Sequence, residues 1–425
     1  MPQSPSGRYH HGVSASRTSD AEGYVEDIAY TYGYQPDLDP RRMVDALRAA
    51  GLEPPRVARA CELGFGQGVS LAIHAVAGGA DWHGTDLNPS HVATLRALLA
   101  GIDASVEVAG QTFGDFFARD DLPQFDFIGA HGVWSWVSAA NRARILRFLQ
   151  RRLRPGGVFY LSYNALPGWA HMLPLRAMLM RSIAAADPQA PLAERIDEAL
   201  RDVAMRILRD ASFEEAHPGI GAELRAIRGK RAAYLAHEFF NRDWAPMHPD
   251  EVASMLSSAG LRFATLAAEG GERFRREYWV MGQPQRAEGG AAGESTLDAT
   301  AMAMTDAVIE RRRAGCRLLN ARLLALALES PDPAWLASPV TGGGVEVGHT
   351  GLLLIEAHRR GLREPVALSR AVQETLSRLG QRLVRNGTVI VERDQSGAVL
   401  EEEARVMLGS GLPRLTALGA LPLVA

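Results

Sequence analysis

The run Ala60-Cys61-Glu62-Leu63-Gly64-Phe65-Gly66-Gln67-Gly68 decides how this chain folds. A short apolar segment ends in an acid and passes into glycines at alternate positions. Upstream, the extended run reads as a strand over 57–63; downstream, Val69-Ser70-Leu71-Ala72-Ile73-His74-Ala75-Val76 reads as a helix. Glycines so placed serve a tight strand-to-helix turn whose backbone approaches a ligand with no Cβ in between. The spacing is G-x-G-x-G, not the G-x-G-x-x-G of nicotinamide-binding turns. Glu62, at the strand end, is placed to meet a cationic or hydroxyl-bearing group.

Working outward, Asp81-Trp82-His83-Gly84-Thr85-Asp86-Leu87-Asn88-Pro89 gives a second strand, 81–86. It ends in an acid about 20 residues beyond the glycines, where a carboxylate can take both hydroxyls of a ribose. A lone glycine loop or a lone aspartate is an ordinary α/β turn; together with Glu62 they point to a nucleoside-bearing cofactor. This pattern resembles the class I S-adenosylmethionine-dependent methyltransferases over about residues 25–282. The resemblance implies that S-adenosyl-L-methionine is the cofactor. Its methionine part would be held at Glu62, Gly64, Phe65, Gly66 and Gly68, and its ribose at Asp86 beside Leu87. Asp115, after the third strand, is expected near the adenine.

Strand and helix alternate from Arg56 on, which argues a Rossmann-like, doubly wound parallel sheet of the α/β class. Asp39 before Pro40 reads as a helix cap with proline at the first position, opening a helix to about Ala50. Ser90 reads as the cap of a helix to about Ala100. Strands near 105–108, 124–130 and 158–162 follow, with a helix over 139–152 stopped by Leu153-Arg154-Pro155-Gly156-Gly157. Residues 170–240 read as a helical insertion over the site. A helix over 249–259 and strands over 261–266 and 274–281 close a domain of residues 23–282. Before it, 1–22 reads as a disordered tail. After it, 283–298 reads as a linker and 299–425 as a smaller α+β domain, winged-helix-like or helical and regulatory, suited to protein contact or homodimerisation.

Ligands in such sheets sit beyond the carboxyl ends of the strands. Strand four is followed by His131-Gly132-Val133-Trp134-Ser135-Trp136, a candidate base with an indole wall. Strand five runs into Ser162-Tyr163-Asn164 and on to Gly168-Trp169, where a phenol and an amide can orient an acceptor. His237-Glu238-Phe239-Phe240-Asn241-Arg242-Asp243-Trp244 packs acid, base and aromatic groups at the end of the insertion. Four of the seven tryptophans fall in these three segments. Tyr30, Tyr32 and Tyr34 either brace the first helix or close the pocket. These segments are similar to bacterial class I methyltransferases with a methyltransferase regulatory domain, and to rickettsial-type protein-lysine methyltransferases. The resemblance implies a protein lysine as methyl acceptor; the short 267–273 connection departs from longer versions. His131, Tyr163, Asn164, His237 and Glu238 are the expected catalytic or acceptor-orienting groups, with His131 also beside the cofactor. Tyr30, Tyr32, Tyr34, Trp134, Trp136, Trp169, Asn241 and Trp244 are the expected pocket walls. A sugar or natural product methylated at oxygen or nitrogen is the alternative acceptor, and a non-catalytic cofactor-binding scaffold the alternative class.

Composition sets bounds. The 425 residues carry 47% hydrophobic and 22% charged side chains, and a net charge of −3 gives no electrostatic case for a nucleic-acid partner. Two cysteines, Cys61 and Cys316, make no disulfide framework, and no Cys/His cluster has metal spacing. The first twenty residues are polar without an apolar core, and no apolar run approaches the roughly 18 residues that span a bilayer. These features point to a metal-free cytoplasmic protein with no membrane partner.

Overall fold

The computed structural model describes residues 30, 32–230, 232–268 and 271–286, and in addition 315, 319, 322 and 323. The tail expected over 1–22, most of 283–298, nearly all of 299–425 and Cys316 therefore lie outside the described residues. Seven strands form one sheet: β1 Arg59–Leu63, β2 Asp81–Thr85, β3 Val106–Ala109, β4 Phe125–Ala130, β5 Leu153–Asn164, β6 Leu261–Leu266 and β7 Phe274–Met281. Their order is β3-β2-β1-β4-β5-β7-β6. The first five are parallel, and β7 runs antiparallel between β5 and β6. This is the Rossmann-like arrangement expected. The order reverses between β1 and β4, so the crevice beyond their carboxyl ends is where a ligand fits.

Parallel strands must be buried on both faces, and β1 and β4 supply this, a register shift in β4 sending Phe125 and Phe127 to opposite faces. Ala60 and Phe127 enter a core with helices α1 (Pro40–Ala49), α2 (Val69–Gly78) and α3 (Pro89–Leu99). Cys61, Leu63, Phe125 and Ile128 enter the opposite core with α4 (Phe113–Ala118), α5 (Ala139–Arg152) and α11 (Pro249–Ser258). Asp39 caps α1 as expected, its carboxylate accepting from the Arg41 N–H at 2.9 Å. Three local expectations change. Asn88, not Ser90, caps α3, because its side-chain oxygen accepts from both the N–H and the hydroxyl of Ser90, at 2.9 and 2.8 Å. β1 begins at Arg59, because the N–H groups of Ala58 and Arg59 donate to the Asp126 carboxylate instead of a strand, each at 2.9 Å. β5 begins at Leu153, which pairs with Phe125, so the Pro155-Gly156-Gly157 stretch is an irregularity inside the strand.

Between β5 and α11 the insertion forms α6 (Met172–Ala185), α7 (Leu192–Arg209), α8 (Ala211–Ala216), α9 (Ile220–Arg228) and α10 (Ala232–Phe239). It has its own core around Leu175, Leu179, Ile196, Val203, Leu224 and Phe239. Each such fully buried side chain contributes about 1.5–3 kcal/mol. Its exit is sewn to β5 by mutual hydrogen bonds between Met247 and the Asn164–Leu166 backbone. Residues 283–286, read as the start of a linker, run past the end of α1, with the Glu53 N–H donating to the Gln285 carbonyl. Leu319 and Leu323 are buried in the α1–α3 core, and Arg322 donates to the Leu98 and Ala100 carbonyls that end α3. Among the described residues no helix is long and apolar enough to cross a membrane, and no cluster of His, Cys, Asp and Glu could hold a metal.

Candidate functional site

The glycine turn is built for close packing. Gly64 has φ 68° and Gly68 has φ 74°, both left-handed. A Cβ on Gly64 would lie 2.7 Å from Val133, and one on Gly68 would lie 2.7 Å from Leu95. Any larger residue would strain the turn and push away β4's following loop or α3. Asp86, just past β2, braces this turn: one carboxylate oxygen accepts from the Gly66 N–H at 2.8 Å. Its other oxygen accepts from the Asn88 N–H and from His91 Nδ1, both at 2.9 Å. Glu62 differs. It is buried, and its Oε2 has no hydrogen-bond partner. Burial, and then the nearby Asp86 charge, push its carboxyl up to about 8.

Beyond the turn lies a cavity of about 390 Å³, walled by the ends of β1, β2, β4 and β5 and by α10. Two serines set its floor. Ser162 accepts from the Gly132 N–H and Ser135 from the Asn164 N–H, each at 2.8 Å, tying the loop after β4 to β5. Asn164 then donates its side-chain amide to Glu238 at 3.2 Å. Burial pushes the Glu238 carboxyl up to about 7, against the lowering effect of the Asn164 bond. Trp136 donates to the Glu238 carbonyl at 3.5 Å. His131 shares a 2.8 Å hydrogen bond through Nδ1 with the Tyr160 hydroxyl. Its burial, followed by the Arg276 guanidinium, pulls its pKa down to about 3, so the ring is neutral and a weak base. Tyr30 meets His237 edge-on at 5.1 Å.

The structure sorts the residues expected from sequence. Glu62, Gly64, Phe65, Gly66, Asp86 and Leu87 line the cavity, with His131, Trp136, Asn164, Trp169, His237, Glu238, Asn241 and Tyr30. Seven others stand outside it, for physical reasons. Gly68 packs on Leu95. Asp115 is absorbed in the α4 cap, its carboxylate accepting from Thr112 Oγ at 2.8 Å. Tyr163 points to the opposite sheet face and donates to Glu277 at 3.1 Å. Trp134 is wholly buried below the floor. Tyr34 meets His74 in the α1–α3 core, and Tyr32 packs against that core. Trp244 braces Trp169, which does line the cavity, and stacks under the Arg176 guanidinium. Sequence reasoning missed Gln111, Thr112, Tyr234, Arg273 and Phe274, all of which line it. Helical spacing held a signal for one: Tyr234 lies one turn before Glu238 on α10.

S-adenosylmethionine presents an ammonium, a ribose and an adenine, and the residues fit it. The orphaned buried Glu62 carboxyl suits the ammonium, the glycine cradle leaves room beside it, and Asp86 stands where ribose hydroxyls are taken. A Rossmann-like sheet with this site has the layout that a nucleoside-bearing cofactor fits. Residues 34–206 match the family model described as a methyltransferase domain, and 231–269 match the one described as a predicted methyltransferase regulatory domain. The matched part of the chain is thus similar to a methyltransferase domain. It is 35% identical over 248 residues to the uncharacterized protein sll1526 of Synechocystis, across 57% of this chain and 48% of that one. It is 32% identical over 134 residues to the uncharacterized protein RP028 of Rickettsia prowazekii, across 31% and 53%. The chain thus spans about half the length of these relatives. Among solved structures it is similar to PKMT2 from Rickettsia typhi in complex with AdoHcy, at 20% identity and a TM-score of 0.49, across 61% and 56%.

Proposed function

We propose that the protein transfers a methyl group from S-adenosylmethionine to a primary amine, with a protein lysine side chain as the acceptor. The observation that carries this reading is Glu238. It is a partly buried carboxyl on the cavity wall, poised to titrate at about 7 and oriented by Asn164. An amine arrives as an ammonium and must lose its proton before it can attack. The cofactor, when bound, supplies an electrophilic methyl group on a sulfonium. Desolvation in the cavity lowers the amine's pKa while it raises that of Glu238, so the proton can pass between them. Trp136, Tyr30, Tyr234 and Trp169 line the cavity, and aromatic faces favour an alkylammonium. His131, neutral and weakly basic, is poorly suited to deprotonate a hydroxyl.

The test is transfer of radiolabelled methyl from S-adenosylmethionine to lysine-bearing peptides, with methyl-lysine identified after hydrolysis. Label on N-acetyl-lysine-blocked peptides equal to that on free-lysine peptides would overturn the amine assignment. A second reading, a small-molecule acceptor, is favoured by the roof that Tyr234, His237, Glu238 and Asn241 place over the cavity. It predicts label on a small amine or sugar and none on peptides. The scaffold reading is disfavoured by the room and the polar pair, Glu238 with Asn164, on the acceptor side.

A further inference from the structure

The peptide of Tyr30 is gripped from the cofactor side on both its groups. Its N–H donates to His91 Nε2 at 3.1 Å, and its carbonyl accepts from the Gln67 side-chain amide at 2.8 Å. Because Nε2 accepts, the ring proton sits on Nδ1, which donates to Asp86 at 2.9 Å. Asp86 in turn accepts from Gly66. His91 is wholly buried, so each of its nitrogens depends on its one partner. The tyrosine ring faces the other way. It lies over Gly66, where an added Cβ would come within 3.6 Å of it, and stands edge-on to His237 on α10. It lines the cavity next to Tyr234 and Glu238, whose charge adds to burial in raising the phenol's pKa.

From this geometry we propose that His91 is a positioning residue that couples the two halves of the site. Through it, the acid expected to hold the cofactor's ribose also holds Tyr30, whose ring lines the acceptor side. The inference deepens the methyltransferase reading above and rests on it. If Asp86, His91 and the Tyr30 peptide form one unit, cofactor binding and docking of Tyr30 favour each other, and the effect is reciprocal. A structural histidine that only filled the base of α3 would need neither the bond to Tyr30 nor the one to Asp86. An apolar ring of similar size would serve as well.

The experiment is hydrogen–deuterium exchange on the full chain with and without S-adenosylhomocysteine, read on the shortest peptides containing Tyr30 and Gly66, beside calorimetry. In the wild type, saturating S-adenosylhomocysteine should slow exchange at both by about tenfold or more. In His91→Phe the affinity should fall about tenfold, the order expected for one lost charge-assisted bond. At saturation, slowing should persist at Gly66 and disappear at Tyr30. Gln67→Met, which cuts the second grip and leaves Asp86 and His91 intact, should also release Tyr30 and serves if His91→Phe does not fold. Retained slowing at Tyr30 in both variants would overturn the coupling. Slowing at Gly66 without Tyr30 in the wild type would overturn it too, while leaving the methyltransferase reading standing. Absence of any S-adenosylhomocysteine binding to the wild type would overturn both.

Discussion

Asp86 and Glu238 are carboxyls on opposite sides of one cavity, and the protein treats them in opposite ways. Asp86 accepts three hydrogen bonds, from Gly66, Asn88 and His91. Glu238 accepts one, from a neutral amide, and desolvation pushes it up to about 7. Several donors aimed at a carboxylate fix its orientation, whereas desolvation with a single neutral donor raises the Glu238 carboxyl into the neutral range. In the function proposed above, the Asp86 side would be a rigid receptor for the cofactor and the Glu238 side a proton acceptor.

The largest effect should come from removing the titrating group. Glu238→Gln keeps an oxygen for Asn164 and removes the base. It should lower kcat for an amine acceptor by about 10²–10⁴-fold, the usual range for a lost general base. S-adenosylhomocysteine affinity should stay within about twofold. In the wild type, the rate should rise with pH as Glu238 deprotonates through about 7, and Glu238→Gln should flatten that rise. An unchanged kcat would break the contrast drawn here. On the receptor side, Asp86→Asn places an amide where the Gly66 and Asn88 N–H groups need an acceptor. S-adenosylhomocysteine binding should weaken by about 10–100-fold, or roughly 1.4–3 kcal/mol. Calorimetry checks this, and an unaltered affinity would remove Asp86 from the cofactor site.

The two sides also differed in how legible they were. The cofactor side is written locally: Glu62, the glycines and Asp86 sit at strand ends whose spacing the fold dictates, and all but Gly68 line the cavity. The sheet followed from the same local alternation, down to the bounds of β6 and β7. The acceptor side is assembled from distant segments, so residue type pointed to the right loops but not to the right side chains. Tyr163 and Asn164 are neighbours on β5, and alternation sends one to the Glu277 side and the other to the cavity. Trp134 and Trp136 part in the same way around one short turn, one buried in the core and the other reaching Glu238. Asp115 was misplaced because Thr112, three residues earlier, claims its carboxylate as part of a helix cap. Arg273 and Phe274 enter from the far end of the chain, where nothing local marks them.

Glu62 gives the smallest and most diagnostic test, because it lies on the receptor side yet lacks the donors that Asp86 enjoys. Its folded pKa of about 8 stands above the 4.5 ordinary for a glutamate in the unfolded chain. A carboxyl raised on folding favours the folded state only where it is protonated in both states. That benefit is complete below about 4.5 and is lost as pH rises toward about 8. At pH 7 the penalty reaches roughly 3 kcal/mol, at about 1.4 kcal/mol for each unit of pKa. Glu62→Gln removes it, so the ligand-free variant should melt about 2–8 °C higher than wild type at pH 7.5 and at nearly the same temperature at pH 4. The same change deletes the counter-charge for the cofactor's ammonium, so S-adenosylhomocysteine should bind several-fold more weakly and raise the melting temperature less. A variant that is no more stable at pH 7.5, or that binds as tightly, would show that Glu62 is a satisfied structural acid. The contrast would then be between Glu238 and the rest of the site.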